Sequence, residues 1–432
     1  MYNKDIAGKR LLLVGGVASA YDLIQLAGRN HIFLGVADYN KDTSIKRAAD
    51  AAYDIDVTDI DAVERLYRDE KYDGIISNFS DMLSPFVTRL ADRIGGFAPY
   101  TVEQLRMSTD KEFFKKTCLQ YGVSVPEQFE VDVKDERSLD AVELPVIVKP
   151  VDGSGSKGIV VCHTKEELVS GYAAAAQASR SGRAIAEQYL PYDEINVTYI
   201  AQNGDIQLAA IHDRYFNTEQ EDVVRVPDMY IYPSRYTDIY LEKYNEPVIH
   251  MLKSIGIKNG SLFMQACVRD NVVYFYEAGM RLNGCKTYDI LEVENDFNTF
   301  ERLIRFALTG DMGPHCEFTP RMNKWYATWN VVANPGAVIK AFRGLEELQS
   351  YPWMTGTKIR YRIGDQVPAD SRGTLLQLLG RFHLWAETKE QLLERIDHMQ
   401  TLFDAVDEEG KSALLTPHDV EDLRKKIDYD LR

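Results

Sequence analysis

The sequence predicts a multidomain α/β and α+β protein, with a parallel α/β unit first and hairpin-built α+β units after it. Three observations carry this expectation. Residues 9–99 alternate short β-rich runs with helical stretches, the pattern of a parallel sheet. Two long hairpins follow, one turning at Asn203-Gly204, the strongest short hairpin signal. After about residue 318 short strands (327–332, 336–342, 357–362, 381–386) surround a single helix, 388–403.

Taken in order, KRLLLVGG reads as a buried strand and turn, 18–29 as a helix, and HIFLGVAD as a second strand ending in Asp38. A helix at 61–70, the strand YDGIISN and a helix at 83–94 complete the first unit. Gly15-Gly16-Val17-Ala18-Ser19 follows the first strand without a GxGxxG pattern, so a dinucleotide site is not indicated. Residues 101–122 read as helix. The strands LPVIVKP and GIVVCH frame a glycine-rich loop, and 165–180 is a helix of good formers. RAIAEQYL is a strand, INVTYIAQNGDIQLAAIHD a hairpin, 214–236 a polar loop and 239–254 a helix. SLFMQACVRDNVVYFYEAGMRL is a second hairpin, turning at Arg269-Asp270-Asn271.

The 432 residues carry 50 Lys and Arg against 66 Asp and Glu, a net charge of −16. Nucleic-acid affinity draws on clustered basic residues, so a nucleic-acid partner is not expected. The apolar runs fall far short of the roughly 20 residues that a membrane span needs. MYNKDIAGKR lacks the apolar stretch of a signal peptide, and the five cysteines are scattered without CxxC spacing. A cytoplasmic protein without membrane partners is the expectation.

Three clusters carry chemistry. Lys149 ends a buried strand and precedes Gly153, Ser154, Gly155, Ser156, Lys157 and Gly158. A buried ammonium needs a partner, which phosphate oxygens just beyond the strand would supply, and loop N–H groups approach anions closely. Taken alone, the cluster fits equally a flexible turn beside a snorkelling lysine. Gln265 and Glu277 flank a tight turn on two hairpin strands and can point to one face, an oxygen set suited to Mg²⁺ held mainly by substrate phosphates. The plain alternative is a solvated pair on a sheet face. Glu187, Gln188 and Leu190 end a strand, with Glu194 seven residues past Glu187, placed either to read a nucleoside or simply exposed.

In this order, STDKEFFKK, PVIVKPVDGSGSKGI, AIAEQYLPYDEINV and FMQACVRDNVVYFYEAGMRLNG resemble the ATP-grasp superfamily over roughly residues 1–310. The resemblance implies a pre-ATP-grasp domain (1–100), a small lobe (101–180), a large lobe with the metal and substrate site (181–317) and a small C-terminal α+β domain (318–432). It implies that Lys111 and Lys149 contact ATP phosphates beneath the 153–158 loop. Glu187, Gln188 and Leu190 would form the hinge beside adenine, and Glu194 would bind ribose. Gln265 and Glu277 would ligate Mg²⁺ or Mn²⁺, and Arg281 would steady an acyl phosphate. The superfamily's Glu-x-Asn-x-Arg reads here Glu277-Ala278-Gly279-Met280-Arg281, with Asn283 as a possible stand-in, which leaves the number of metal ions open. NPGAVIKAFRGLEELQSYPW and LGRFHLWAETKEQLLERI look like the C-terminal domain of amino-acid ligases and biotin-carboxylase-like members.

The sequence is closest in look to L-amino-acid ligases and to carbamoyl-phosphate-synthase and biotin-carboxylase-like members, and the activity implied is an ATP-dependent carboxylate–amine ligase forming an amide or peptide bond through an acyl phosphate, with release of ADP and phosphate. The alternative is a carbamoyl-phosphate-synthase, biotin-carboxylase or purine-biosynthesis type of enzyme activating a one-carbon or small acid; a non-enzymatic nucleotide-binding module is a third. A homodimer is implied by the resemblance alone. Arg214, Arg225 and Arg235 lie among Tyr215, Tyr230, Tyr232 and Tyr236 and, with Lys286, are the candidates to bind an anionic substrate. The same residues also fit a salt-bridged surface loop.

Overall fold

Short runs near the amino terminus pair into a parallel sheet: β1 (Arg10–Val14), β2 (Phe33–Asp38), β3 (Ala51–Asp54) and β4 (Gly74–Ile76), in the order β3-β2-β1-β4. The computed structural model describes residues 4–16, 18–77, 79–152, 158–189, 193–216 and 226–431. In RLLLV of β1 four successive residues are buried, as a strand covered on both faces requires. AAYD, which the sequence reading does not identify as a strand, forms the edge strand β3, half exposed. All four strands run the same way, so the segments leaving β1 and its neighbour β4 emerge at one rim. Asp22 and Asp81 lie in those segments.

The second sheet holds β5 (Gln128–Phe129), β6 (Val146–Pro150), β7 (Val160–Cys162) and β8 (Ala184–Gln188), paired antiparallel as β5-β8-β6-β7. Helix Lys165–Ala178 covers it, started by a reciprocal cap between Thr164 and Glu167.

The third sheet begins with β9 (Asp193–Gln202), β10 (Asp205–Phe216), β11 (Pro227–Tyr232), β12 (Gly260–Arg269), β13 (Val272–Gly279) and β14 (Trp325–Val332). Asn203 and Gly204 have φ of 53° and 88°, and Asp270 and Asn271 of 52° and 61°. Both hairpins therefore close with two residues in the left-handed region, as tight hairpin turns demand. Next in the chain come β15 (Ala341–Arg343), β16 (Met354–Ile359), β17 (Leu378–Ala386) and β18 (Asp404–Val406). β15 and β18 form a ribbon, while β16 and β17 join the large sheet, giving eight antiparallel strands in the order β13-β12-β9-β10-β11-β14-β17-β16. The late strands thus extend the sheet built by the two hairpins.

The structure corrects four local expectations. The polar stretch 214–236 is not all loop: β10 runs to Phe216, and DMYIY lies in a strand bracketed by Pro227 and Pro233, where proline does least harm to a ladder. The helix expected at 101–122 is Arg106–Thr109 and then Lys111–Gln120, divided at Asp110, whose carboxylate accepts from Phe113 N. The helix expected at 239–254 divides at Tyr244 into Thr237–Lys243 and Asn245–Ser254. The strand expected at 336–342 is reduced to β15.

Ile195, Val197 and Tyr199 of β9, with Ile211, Met264, Ala266, Phe275 and Ala278, point into one apolar core beneath the helices. Alternation sends Glu194, Asn196 and Thr198 to the opposite face. No helix among the described residues is long and apolar enough to cross a membrane.

Candidate active site

The opposite face of the large sheet is polar, and the ladder orders it. Asn196 of β9 is paired with Gln265 of β12, which is paired with Glu277 of β13. Three oxygen-bearing side chains therefore stand in one row across three strands. Asn196 is 2 % exposed and its Oδ1 has no hydrogen-bond partner among the described residues. A buried, unsatisfied carbonyl oxygen beside an amide and a carboxylate fits a hard divalent cation, so the donor set suits Mg²⁺. Among the described residues no group of three or more His, Cys, Asp or Glu is gathered to hold a metal unaided.

Next to this row, Glu194 receives Arg214 Nη1 at 2.6 Å and Tyr276 OH at 2.8 Å. Tyr276 is the extra residue of a bulge between Gln265 and Ala266 of the partner strand, which turns its hydroxyl toward Glu194. Its ring lies 5.7 Å from Lys149 Nζ. The lysine of the second sheet and the acid-bearing strand of the third therefore meet here.

Lys149 does not wait on a ligand for its counter-charge, as its sequence context suggests. Glu187, 1 % exposed, holds Lys149 Nζ at 2.5 Å and Lys115 Nζ at 2.8 Å. Burial alone would raise the Glu187 carboxyl, but Lys149 and Lys115 prevail and hold it below the ordinary glutamate range. The carboxylate expected beside adenine is thus committed to two ammonium groups. One carboxylate between two lysines leaves a surplus positive charge. Lys111 is a third ammonium group close by: burial pushes it below the usual lysine range, Glu277 opposes that shift and Lys149 reinforces it. Glu277, Lys111 and Lys149 thus share one electrostatic neighbourhood. Asp152, by contrast, is tied up by Ser179 Oγ at 2.7 Å and by Ser181 N at 2.9 Å.

Arg281 follows β13 and donates from Nε to Asp81 Oδ2 at 2.6 Å and from Nη1 to Leu282 O at 3.0 Å. Its Cζ lies 5.0 Å from the centre of the Phe263 ring. The same ring explains the departure at position 279: a Cβ on Gly279 would fall 2.3 Å from Phe263 Cε1 and Cζ. Asn283 does not take the missing asparagine's place. Its Nδ2 donates to Thr287 Oγ1 at 2.7 Å and to Thr198 Oγ1 at 3.3 Å, while its Oδ1 accepts from Thr287 N. That amide fastens the start of helix Thr287–Asn295 to β9.

Of the other expected residues, Lys286 lies among acids, 2.8 Å from Asp22 and 3.4 Å from Asp289. Arg235 is held by Asp193 and Asp213 and lines a separate cavity with Tyr429 and Arg321, so it does not join Arg214. Gln188 is the end of β8 and donates its N–H to Glu127 O. Gly158 has a φ of 72°, with Ala178 and Pro150 where a side chain would go. Gly153, Ser154, Gly155, Ser156, Lys157, Leu190 and Arg225 lie outside the described residues. His212, in mid-strand, is fully buried against the rings of Tyr230 at 5.0 Å and Tyr232 at 4.4 Å. Cys285 is buried too, and burial raises its thiol above the ordinary range.

Sequence reasoning missed Asp81, Asp22 and Lys115. The first two had one signal, their position after neighbouring parallel strands, where open α/β sheets commonly place functional groups. Lys115 had only its place one turn past Lys111 on the same helix.

Residues 142–289 match the family model described as "ATP-grasp domain". The D-alanine–D-alanine ligase of Fervidobacterium nodosum is 26% identical over 307 residues, covering 63% of this chain and 95% of the ligase. The carbamoyl phosphate synthase large chain of Methanosarcina acetivorans is 32% identical over 130 residues, which is 28% of this chain. The chain spans only 12% and 16% of the length of the first curated relatives it matches. Among solved structures, an L-amino acid ligase from Bacillus licheniformis superposes with a TM-score of 0.74 at 14% identity, covering 93% of this chain and 99% of that one. A phosphoribosylglycinamide synthetase from Anaerococcus prevotii gives 0.71 at 18%, covering 93% and 100%. Lys149 of β6 and Glu277 of the later hairpin thus lie within the stretch, residues 142–289, that is similar to an ATP-grasp domain, and the solved structures named above share the fold.

Proposed function

We propose that the protein is a Mg-ATP-dependent ligase that activates a carboxylate as an acyl phosphate and joins it to an amine. One observation carries the reading: Lys111 and Lys149, brought by the second sheet and its preceding helix, share their surroundings with Glu277 of the large sheet. A triphosphate carries several negative charges, and a group of lysines opposite an oxygen row would meet it from both sides.

In this reading Lys111 and Lys149 offset phosphate charge from one side. Gln265, Glu277 and Asn196 would hold Mg²⁺, which would supply charge neutralisation to the phosphates. Arg281 is planar and always charged, and its Nη2 makes no hydrogen bond among the described residues, so it can meet an acyl phosphate oxygen. Asp81 sets the direction of that guanidinium. Little covalent work falls to the protein, since orientation and charge neutralisation supply most of the barrier reduction in phosphoryl transfer. The relatives named above as ligases support this class of reaction.

Phosphate release, measured with Mg-ATP against a panel of amino acids and small acids, tests the reading. Pairwise dependence on one acid and one amine is expected, and Lys149→Ala and Glu277→Ala should each cost several kcal/mol of transition-state stabilisation, on the order of 100-fold or more in kcat/KM. Stimulation by bicarbonate alone, or tight ATP binding without turnover on any acid, would reject it.

A further inference from the structure

The polar face of the large sheet does not stop at β10. Arg214 is paired with Tyr230, Tyr230 with Thr328, Thr328 with His383 and His383 with Gly356. One step along, on the same face, Asn330 is paired with Arg381 and Arg381 with Lys358. Two cations therefore stand directly opposite each other on β16 and β17. Like charges placed so repel, and a sheet gains nothing from them unless something negative lies between.

The protein does not supply that charge. Arg381 Nε donates to the neutral Asn330 Oδ1 at 2.9 Å, and no carboxylate forms an ion pair with Arg381 or Lys358 among the described residues. The two acids nearby, Asp22 and Asp289, are committed to Lys286. His383, 2 % exposed, accepts or donates at Nδ1 with Thr328 Oγ1 at 2.9 Å, while its Nε2 has no partner among the described residues. Two glycines border the place at ordinary contact distance. A Cβ on Gly356 would lie 3.7 Å from Lys286 Nζ and from His383 Cδ2, and one on Gly284 would lie 3.5 Å from Arg381 Nη1. The place adjoins the catalytic candidates, because Arg381 acts on Cys285 together with Arg214 and Arg281.

We propose that Lys358 and Arg381, with the unsatisfied Nε2 of His383 beside them, bind an oxyanion of the non-nucleotide substrate, a carboxylate or a phosphate ester. The assignment of that anion to a substrate rests on the ligase reading above; the existence of the site does not. Burial pushes the Lys358 ammonium down to about 7, Asp22 opposes this, and Arg381, Lys286 and Arg360 add to it. His383, whose ring burial holds below the ordinary histidine range, and Asp289, paired with Lys286, complete the charged and titratable groups named around it. An arriving anion reverses the balance, so binding at pH 8 should draw a proton onto Lys358.

The test is calorimetric titration of the full chain, saturated with Mg-ADP, by succinate and separately by inorganic phosphate at pH 8, in two buffers of different ionisation heat. The wild-type protein should bind one of them with net proton uptake, and which one tells a carboxylate site from a phosphate site. Lys358→Met and Arg381→Gln should each weaken binding at least tenfold with Mg-ADP affinity kept, and Lys358→Arg should retain it without the proton uptake. Circular-dichroism melting identifies a variant that fails to fold; should Arg381→Gln do so, Lys358→Met decides. Binding unchanged in the folded variants, or no binding of either anion by the wild type, overturns the proposal. Failure of Mg-ADP to bind the wild type would instead count against the ligase reading, with the two anions then titrated alone.

Discussion

Lys149 and Lys115 share a single buried carboxylate, that of Glu187, at 2.5 and 2.8 Å. The arrangement brings three full charges out of water and balances only two of them. Its excess charge lies beside Lys111, where the strand β6 ends.

Removing the shared acid is therefore severe. Glu187→Gln leaves two buried ammonium groups without a counter-charge, and breaking a buried pair in this way costs about 3–5 kcal/mol. Urea unfolding should show a lower midpoint with an unchanged slope. The carboxyl is held below its ordinary value, so its contribution is complete above the unfolded glutamate range near pH 4 and is lost as pH falls through the folded value. The wild type should lose stability on acidification below about pH 4, and the variant should lose less.

Gly279 is fixed by its neighbour. Gly279→Asn drives a side chain into the Phe263 ring, and overpacking of this kind costs about 1–3 kcal/mol. Adding Phe263→Ala should restore part of the loss, which a double-mutant cycle on thermal unfolding will read as a favourable coupling.

Asp81 positions Arg281 from another sheet. Asp81→Asn keeps the shape and removes the charge, so Arg281 keeps a neighbour but loses its ion pair. A fall in kcat of about 10- to 100-fold with little change in KM for ATP is expected, equivalent to about 1–3 kcal/mol. A change confined to thermal stability would assign Asp81 a purely structural part.

Lys358 makes stability depend on alkaline pH. Its folded value of about 7 lies below that of the unfolded chain, so the unfolded state holds the extra proton across the interval between them. Stability should therefore rise as pH increases from about 7 toward 10, and Lys358→Met should flatten that slope. Unfolding midpoints in urea at several pH values will show it.

The parts of this architecture that are local in sequence were readable. Asn203-Gly204 and Asp270-Asn271 each place two residues in the left-handed region, so both hairpins could be drawn from their turns. Alternation along β9 told which of its side chains share a face. Contacts between distant segments were not readable in the same way. Nothing near Arg281 announces Asp81, 200 residues earlier, and nothing near Arg381 announces Lys358 on the facing strand. β11 was hidden by its bordering prolines and by its burial on both faces, which erases the alternation that marks a strand. The partner of Lys149 was misjudged for a related reason: Glu187 comes from a strand that pairs with β6 only after an intervening helix.

Because β14, β17 and β16 continue the ladder begun by β9 and β10, the last quarter of the chain acts as a seal as well as a wall. A shortened version stopping before Trp325 would leave β11 as a bare border, its N–H and C=O groups free to capture any extended peptide. Such a fragment should clump rather than fold, so the strands from Trp325 onward belong in any unit worth purifying.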